Sequence, residues 1–223
     1  MDKLVLIKIG GSFFKKNNSS NLNKLAEVIN TDKENKFIIV CGGGRAADLV
    51  RDFDSRHNLN DKIAHFAAIT AMEMNSYFLA NFFDEYSTFS TEFDFKSRIN
   101  LFLPLNYYKK YNPLPQSWQV TSDSIALELA LRLKAEKFIL TKQRDYSSRN
   151  SDLKAGKKKY KKIKAKKISE NGLIDSYFPI LFNNANISPD VSKFESVIIN
   201  GNSVQKLSAY LQGEAEYITK IIK

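Results

Sequence analysis

Apolar residues in this chain fall into two kinds of run, short and continuous or long and spaced, and their alternation predicts the architecture. Leu4 to Ile9 and Lys36 to Cys41 read as buried strands, and each runs straight into glycines, Gly10-Gly11 and Gly42-Gly43-Gly44. Between them Leu22, Leu25, Ala26 and Ile29 recur at helical spacing, which predicts a helix over 21–29. A second helical pattern runs from Arg45 to about Phe53, and Asp61 to Phe83 reads as a long, mostly apolar helix. Residues 84–117 lose the periodicity and contain Pro104, Pro113 and Pro115, so short strands and loops are expected there. A strong helix starts at Ser122 or Asp123, and Lys137 to Thr141 is a third buried strand. Ser196 to Ile199 is a late strand that leads through Asn200-Gly201 into a helix over 203–212. Strands alternating with helices predict a mainly parallel sheet covered on both faces, with ligands at the carboxyl ends of its strands.

Composition narrows the class. At 223 residues, with 43% hydrophobic and 26% charged, the chain is long enough to bury a core without disulfide or metal staples, and one domain over 1–223 is expected. The single cysteine, Cys41, excludes an internal disulfide framework and fits a reducing compartment. No apolar stretch approaches the roughly 18 residues of a membrane span. The start has no secretory apolar run, so a soluble cytoplasmic protein without a membrane partner is expected.

The formal charge of +10 first suggests a nucleic-acid or membrane partner. Nine lysines between Lys154 and Lys167 account for all but one of those charges, leaving the rest of the chain near neutral. Three readings of this run stay open: a solvated basic loop continuing the polar stretch 142–157, an edge strand around Tyr160 and Ile163 with lysines outward, or an electrostatic site for polyphosphate or nucleic acid. One tyrosine among nine lysines is a poor stacking platform, so nucleic acid is not the expected partner.

Candidate chemistry gathers at the strand ends. A glycine turn between a buried strand and a helix exposes backbone N–H groups to an anion, and two such turns suggest two anionic groups. Lys8 precedes Gly10-Gly11-Ser12, and Arg45 follows the second turn, with Asp48 and Arg51 one helical turn further on. Neither turn has P-loop or dinucleotide-fold spacing. Arg51 serves equally well as half of a surface ion pair, and Cys41 reads as a packed residue without a neighbour to activate it. Thr121, Ser122, Asp123 and Ser124 cluster at a helix start, where one caps the helix or a carboxylate orients lysines or a magnesium-bound phosphate. His57 and His65 match neither zinc spacing nor a Ser-His-Asp set, and His65, on the apolar helix, reads first as a buried packing residue.

These segments together resemble the amino acid kinase superfamily over nearly the full length. The resemblance rests on KIGGS (Lys8 to Ser12), CGGGRAADLVR (Cys41 to Arg51), TSDSIALELA (Thr121 to Ala130) before FILT, and IINGNSVQKL (Ile198 to Leu207). The segment GGGRAADLVRDFD followed by LNDKIAHFAAITAMEMN, with Asp61, His65, Ala68 and Met72, is most similar to small kinases of methanofuran biosynthesis. The resemblance implies an α/β fold, a three-layer αβα sandwich around a mostly parallel sheet. The acceptor would sit over the half at about 1–115 and ATP over 116–223. It implies ATP- and Mg2+-dependent phosphorylation of an aminomethyl-furanmethyl phosphate to its diphosphate, in a homo-oligomer.

Carried over by motif, Lys8 and Asp123 are the catalytic candidates, Lys8 neutralising the transferred phosphoryl group and Asp123 positioning lysines rather than acting as a base. Gly10, Gly11, Ser12, Thr141, Lys142, Asp145 and Tyr146 are the ATP-side candidates. Gly42, Gly43, Gly44, Arg45, Arg51, His65, Thr121 and Ser122 are the acceptor-side candidates, and no resident metal ligand is expected. The chain departs from the family at Lys142-Gln143-Arg144-Asp145-Tyr146, where an acidic, glycine-containing turn is usual. It departs again at Gly213-Glu214-Ala215-Glu216-Tyr217, where a Gly-Thr pair is. These departures motivate two further expectations. One is that lysines of the basic run, Lys157, Lys158 and Lys159 among them, compensate at the ATP phosphates. The other is an inert relative that binds a phosphorylated ligand or a partner subunit.

Overall fold

In the computed structural model, which describes residues 3–14, 19–146, 160–185, 194–214 and 218–223, the two glycine-ended runs are neighbouring parallel strands, β1 (Lys3–Ile9) and β2 (Asn35–Cys41). Their side chains alternate between two cores. Leu6, Ile38 and Val40 enter one, whereas Val5, Ile7, Ile9, Phe37, Ile39 and Cys41 enter the other. A strand buried on both faces needs apolar residues at nearly every position, which is why these segments are continuous runs and not alternating ones.

The remaining strands are β3 (Ser87–Phe89), β4 (Ile99–Phe102), β5 (Lys137–Lys142), β6 (Tyr160–Lys164), β7 (Glu195–Asn200) and β8 (Ile218–Ile222). They form one eight-stranded sheet in the order β3-β4-β2-β1-β5-β7-β8-β6, parallel except between β7 and β8. Helices α1 (Ser19–Thr31) and α8 (Val204–Leu211) cover one face through Leu22, Leu25 and Leu207. On the other lie α5 (Ser122–Arg132), α6 (Ala165–Glu170) and α7 (Phe178–Asn184). Helix α2 (Gly44–His57) packs on α3 (Asp61–Ala80), which reaches both cores, with Ile69 and Met72 in one and Leu79 and Ala80 in the other. This is the expected three-layer αβα sandwich around a mostly parallel sheet.

Two segments differ from the sequence reading, and in a third one of its open alternatives is found. Residues 84–117 hold a helix, α4 (Pro104–Tyr111), as well as β3 and β4. Pro104 opens this helix instead of breaking it, because the first helical residue needs no N–H partner. Its Tyr107 and Tyr108 are fully buried. Helix α2 continues past Phe53 to His57 and stops where Asn58 takes a left-handed conformation with φ 49°. The described end of the lysine run is structured. In β6, at the sheet edge, Ile163 packs inward while Lys162 and Lys164 are exposed, and α6 buries Ala165 and Ile168. A lysine-bearing edge strand resists pairing with another chain. Lys154, Lys157, Lys158 and Lys159, most of the expected loop 142–157, and Ala215 to Tyr217 lie outside the described residues. Among the described residues no helix is long and apolar enough to cross a membrane.

Candidate functional site

Lys8 and Lys142 reach the same place because β1 and β5 are adjacent and a strand alternates its side chains. Lys8 stands opposite Leu140, and Lys142 follows Leu140 by one full period on the same face. Both ammonium groups therefore emerge at the carboxyl edge of the sheet, below the amino terminus of α5. There Thr121 caps the helix by accepting from the Asp123 N–H at 3.4 Å, and the Asp123 side chain enters the space between the lysines.

One oxygen of Asp123 lies 2.9 Å from Lys8 Nζ, and its two oxygens lie 2.8 and 2.7 Å from Lys142 Nζ. The side chains of Lys8, Asp123 and Lys142 are 5%, 6% and 15% exposed. Burial alone would push the Asp123 carboxyl up, but the ammoniums of Lys142 and Lys8 outweigh it and hold the group well below its ordinary value. Burial lowers Lys142, and the neighbouring Lys8 charge adds to the effect against the attraction of Asp123. Two cations share one carboxylate, so this pocket keeps an excess positive charge for an incoming anion.

Asp175, between α6 and α7, fixes this helix end. It accepts from the N–H and hydroxyl of Thr121 at 2.9 and 2.8 Å, from those of Ser124 at 3.0 and 2.6 Å, and from the Phe178 N–H at 2.9 Å. Burial, with the charge of Asp123, raises its carboxyl above the ordinary value. Sequence reasoning missed Asp175. Its position just before a Phe-Pro helix start is a cap signal, but nothing local ties it to residues 121–124.

The two glycine turns touch backbone to backbone. A Cβ on Gly11 would stand 2.3 Å from the Gly44 nitrogen, and one on Gly42 would stand 2.5 Å from the Gly11 nitrogen. Gly44 also has φ +55°, which side chains disfavour. Asn75 of α3 donates to the Gly42 carbonyl at 2.6 Å. Thr141 is fully buried, accepting from the Gly10 N–H at 3.3 Å and donating to the Lys8 carbonyl at 3.0 Å.

A cavity of about 310 Å³ joins Lys8, Asp123 and Lys142 to Gly11, Ser12, Gly43, Gly44, Arg51, His65, Thr121 and Ser122. Its apolar walls include Ile69, Met72, Trp118 and Ile125. The other candidates lie apart from it. Gly10, Gly42 and Thr141 shape the turns from behind, and Arg45 is exposed on the first turn of α2. Asp145 faces Asn200 at 3.2 Å and Lys206 at 3.4 Å, and Lys161 lies 5.5 Å from the Tyr146 ring. His65 is buried against Phe66 and Tyr108, its Nε2 has no hydrogen-bond partner among the described residues, and burial lowers its pKa, favouring the neutral ring. Burial pushes the Cys41 thiol up to about 12, in keeping with a packing role.

The charges at this site suit an anionic group. The turns leave room only for backbone, and two ammoniums face the cavity they border. Among the described residues no cluster of three acids, histidines or cysteines is placed to hold a metal ion, and Asp123 is already taken by the two lysines.

Comparison with known proteins identifies the family and the fold. The model of the amino acid kinase family matches residues 3–187. A [5-(aminomethyl)furan-3-yl]methyl phosphate kinase from Methanocaldococcus jannaschii is 27% identical over 225 residues, covering 97% of each chain. Among solved structures, a UMP kinase from Ureaplasma parvum superposes with TM-score 0.69 at 18% identity, covering 100% of both chains. Uridylate kinase from Archaeoglobus fulgidus gives TM-score 0.65 at 20% identity, covering 98% of this chain and 99% of its own. An isopentenyl phosphate kinase from T. acidophilum gives 0.58 at 16% identity, covering 99% and 100%.

Proposed function

The chain belongs to the amino acid kinase family and is a kinase, and from that premise we propose that its cleft transfers the terminal phosphoryl group of ATP to the phosphate of a small ester, yielding a diphosphate. The observation that carries this reading is the buried set of Lys8, Lys142 and Asp123, with two positive charges for one negative, beside the interlocked glycine turns. The M. jannaschii relative supports an aminomethyl-furanmethyl phosphate as the acceptor.

The chemistry asks little of the protein beyond position and charge. An oxygen of the acceptor phosphate attacks the γ-phosphorus, the bond to the oxygen bridging to ADP breaks, and ADP leaves with the electron pair. The acceptor oxygen is already anionic, so no base is required. Asp123, kept ionised by its lysines, holds the two ammoniums where charge builds on the transferring group. Gly11 and Ser12 would meet the donor, and Gly43 and Gly44, with Arg51 and Ser122, the acceptor; all six line the cavity. Asp48, which lines the same cavity, offers a carboxylate to the acceptor's ammonium. Magnesium enters with ATP as part of the substrate.

The altered turn that motivated an inert relative begins with Lys142, and Lys142 completes the cationic pair. We also propose a homo-oligomer, formed through the exposed Leu49 and Phe53 of α2 and Ile63, Met74 and Tyr77 of α3. A sedimentation mass equal to one chain contradicts that part alone. For the activity, purified protein is incubated with ATP, magnesium and the furan monophosphate. ADP is expected well above a Lys8→Ala control, and equal rates in the two samples overturn the kinase reading.

A further inference from the structure

One aromatic residue in the cleft has no part in moving phosphate. Trp118, in the segment between α4 and α5, lines the cavity, and its indole is pinned by α2. Its Nε1 donates to Asp54 at 2.6 Å, and the Arg51 guanidinium lies 4.7 Å from the ring centroid while itself held by Asp48 at 3.2 Å. Asp54 thus fixes the edge of the ring, and the half-exposed Arg51–Asp48 pair lies over its face. An aromatic surface ordered in advance loses little freedom when a ligand stacks on it.

The rest of the lining says what kind of body fits. Ala47, Ala68, Ile69, Met72, Val120 and Ile125 are apolar, and two of them are small enough to leave room near the ring. The lining carboxylates are Asp48, paired through one oxygen with Arg51, and Asp123, held to the lysines. Trp118 also lies three residues before Thr121, the cap of the helix that carries Asp123, and the Val120 N–H closes a turn onto the Ser117 carbonyl at 3.1 Å. The wall that meets the acceptor and the carboxylate that orients the lysines therefore come from one short segment.

We propose that Trp118, with the Arg51 guanidinium over it, is the residue pair that selects the acceptor, by stacking against a flat, unsaturated body while the phosphate of the same molecule lies toward Lys8. This rests on the acceptor end of the cleft described above and names the substrate class it takes: a compact aryl-methyl phosphate rather than a nucleotide.

Trp118 is the only tryptophan in the chain, so the whole protein reports on the site by its intrinsic fluorescence without ATP or turnover. Benzyl phosphate, UMP and inorganic phosphate are the probes. The expected result is a saturable change in emission with benzyl phosphate, at a midpoint about tenfold below that of inorganic phosphate, the gain of one aromatic stacking contact. UMP is expected to give no tighter binding than inorganic phosphate. Calorimetry on Trp118→Ala should show benzyl phosphate weakened about tenfold with inorganic phosphate and ATP within twofold of wild type, and Trp118→Phe should restore most of the loss. Equal midpoints for benzyl and inorganic phosphate in the wild-type protein overturn the proposal, with no variant needed. So does a Trp118→Ala protein weakened equally for all ligands. If these bindings appear but no ADP is ever formed, the kinase reading fails and the selectivity assignment stands. If ADP forms and the bindings do not discriminate, the reverse holds.

Discussion

Lys142 Nζ lies 2.7 Å from one oxygen of Asp123 and 2.8 Å from the other, so the last residue of β5 shares the carboxylate that also holds Lys8. This arrangement makes the site both cationic and dependent on its one acid. Replacing Asp123 with Asn leaves two buried ammoniums without a counter-charge, a loss of about 3–5 kcal/mol in unfolding free energy. Urea denaturation of Asp123→Asn measures it, and kcat is expected to fall with the lysines out of place. A stability within 1 kcal/mol of wild type, on the scale of an exposed ion pair, contradicts the buried charge triad.

The lowered pKa of Lys142 has a pH consequence. Burial, reinforced by Lys8, makes its ammonium lose a proton at a lower pH than the ordinary lysine value of 10.5. Its charge is lost as pH rises through the lowered value. The alkaline limb of kcat/KM is expected below pH 10.5, and Lys142→Arg, whose guanidinium stays charged, is expected to move that limb upward. An unmoved limb in the arginine variant assigns it to another group.

The crossing of the glycine turns predicts an outcome for Gly11→Ala. Its Cβ would meet the Gly44 nitrogen at 2.3 Å, and backbone on both sides leaves no flexible side chain to yield. The expected cost is about 1–3 kcal/mol, with weakened binding of both phosphate-bearing ligands because the two cradles move together. Thermal melts and calorimetry with ATP and with benzyl phosphate check this. Loss of ATP binding alone would show that the turns move independently.

Asp175 supports Asp123 from behind. Asp175→Ala removes the acceptor of five donors at the starts of α5 and α7. A loss of about 1–2 kcal/mol is expected from the missing cap, and kcat should fall more than the KM for either substrate, since Asp123 is displaced while the walls remain. Asp175→Asn, which keeps one accepting oxygen, is expected between the two.

Much of this was legible in the sequence because it is local. The runs ending in Gly10-Gly11 and Gly42-Gly43-Gly44 are strands buried on both faces, and the TSDS cluster is a helix start whose Thr121 caps it. What was not legible depends on distant segments meeting. The partnership of Lys142 with Asp123 needs β5 beside β1, and Asp175 needs α7 beside α5. The pinning of Trp118 by Asp54 links residues 64 apart in the chain. Pro104 misled because a proline read alone signals a break, whereas at a helix start it is tolerated.

Phosphorus NMR of the complete reaction tests the central claim most directly. With ATP, magnesium and the aminomethyl-furanmethyl phosphate, the acceptor's monoester resonance should be replaced by a pair of coupled diphosphate resonances as ADP accumulates, and Lys8→Ala should leave the monoester unchanged. A monoester signal that persists while wild-type protein and ATP remain intact, or ADP appearing with inorganic phosphate in place of the diphosphate, contradicts it.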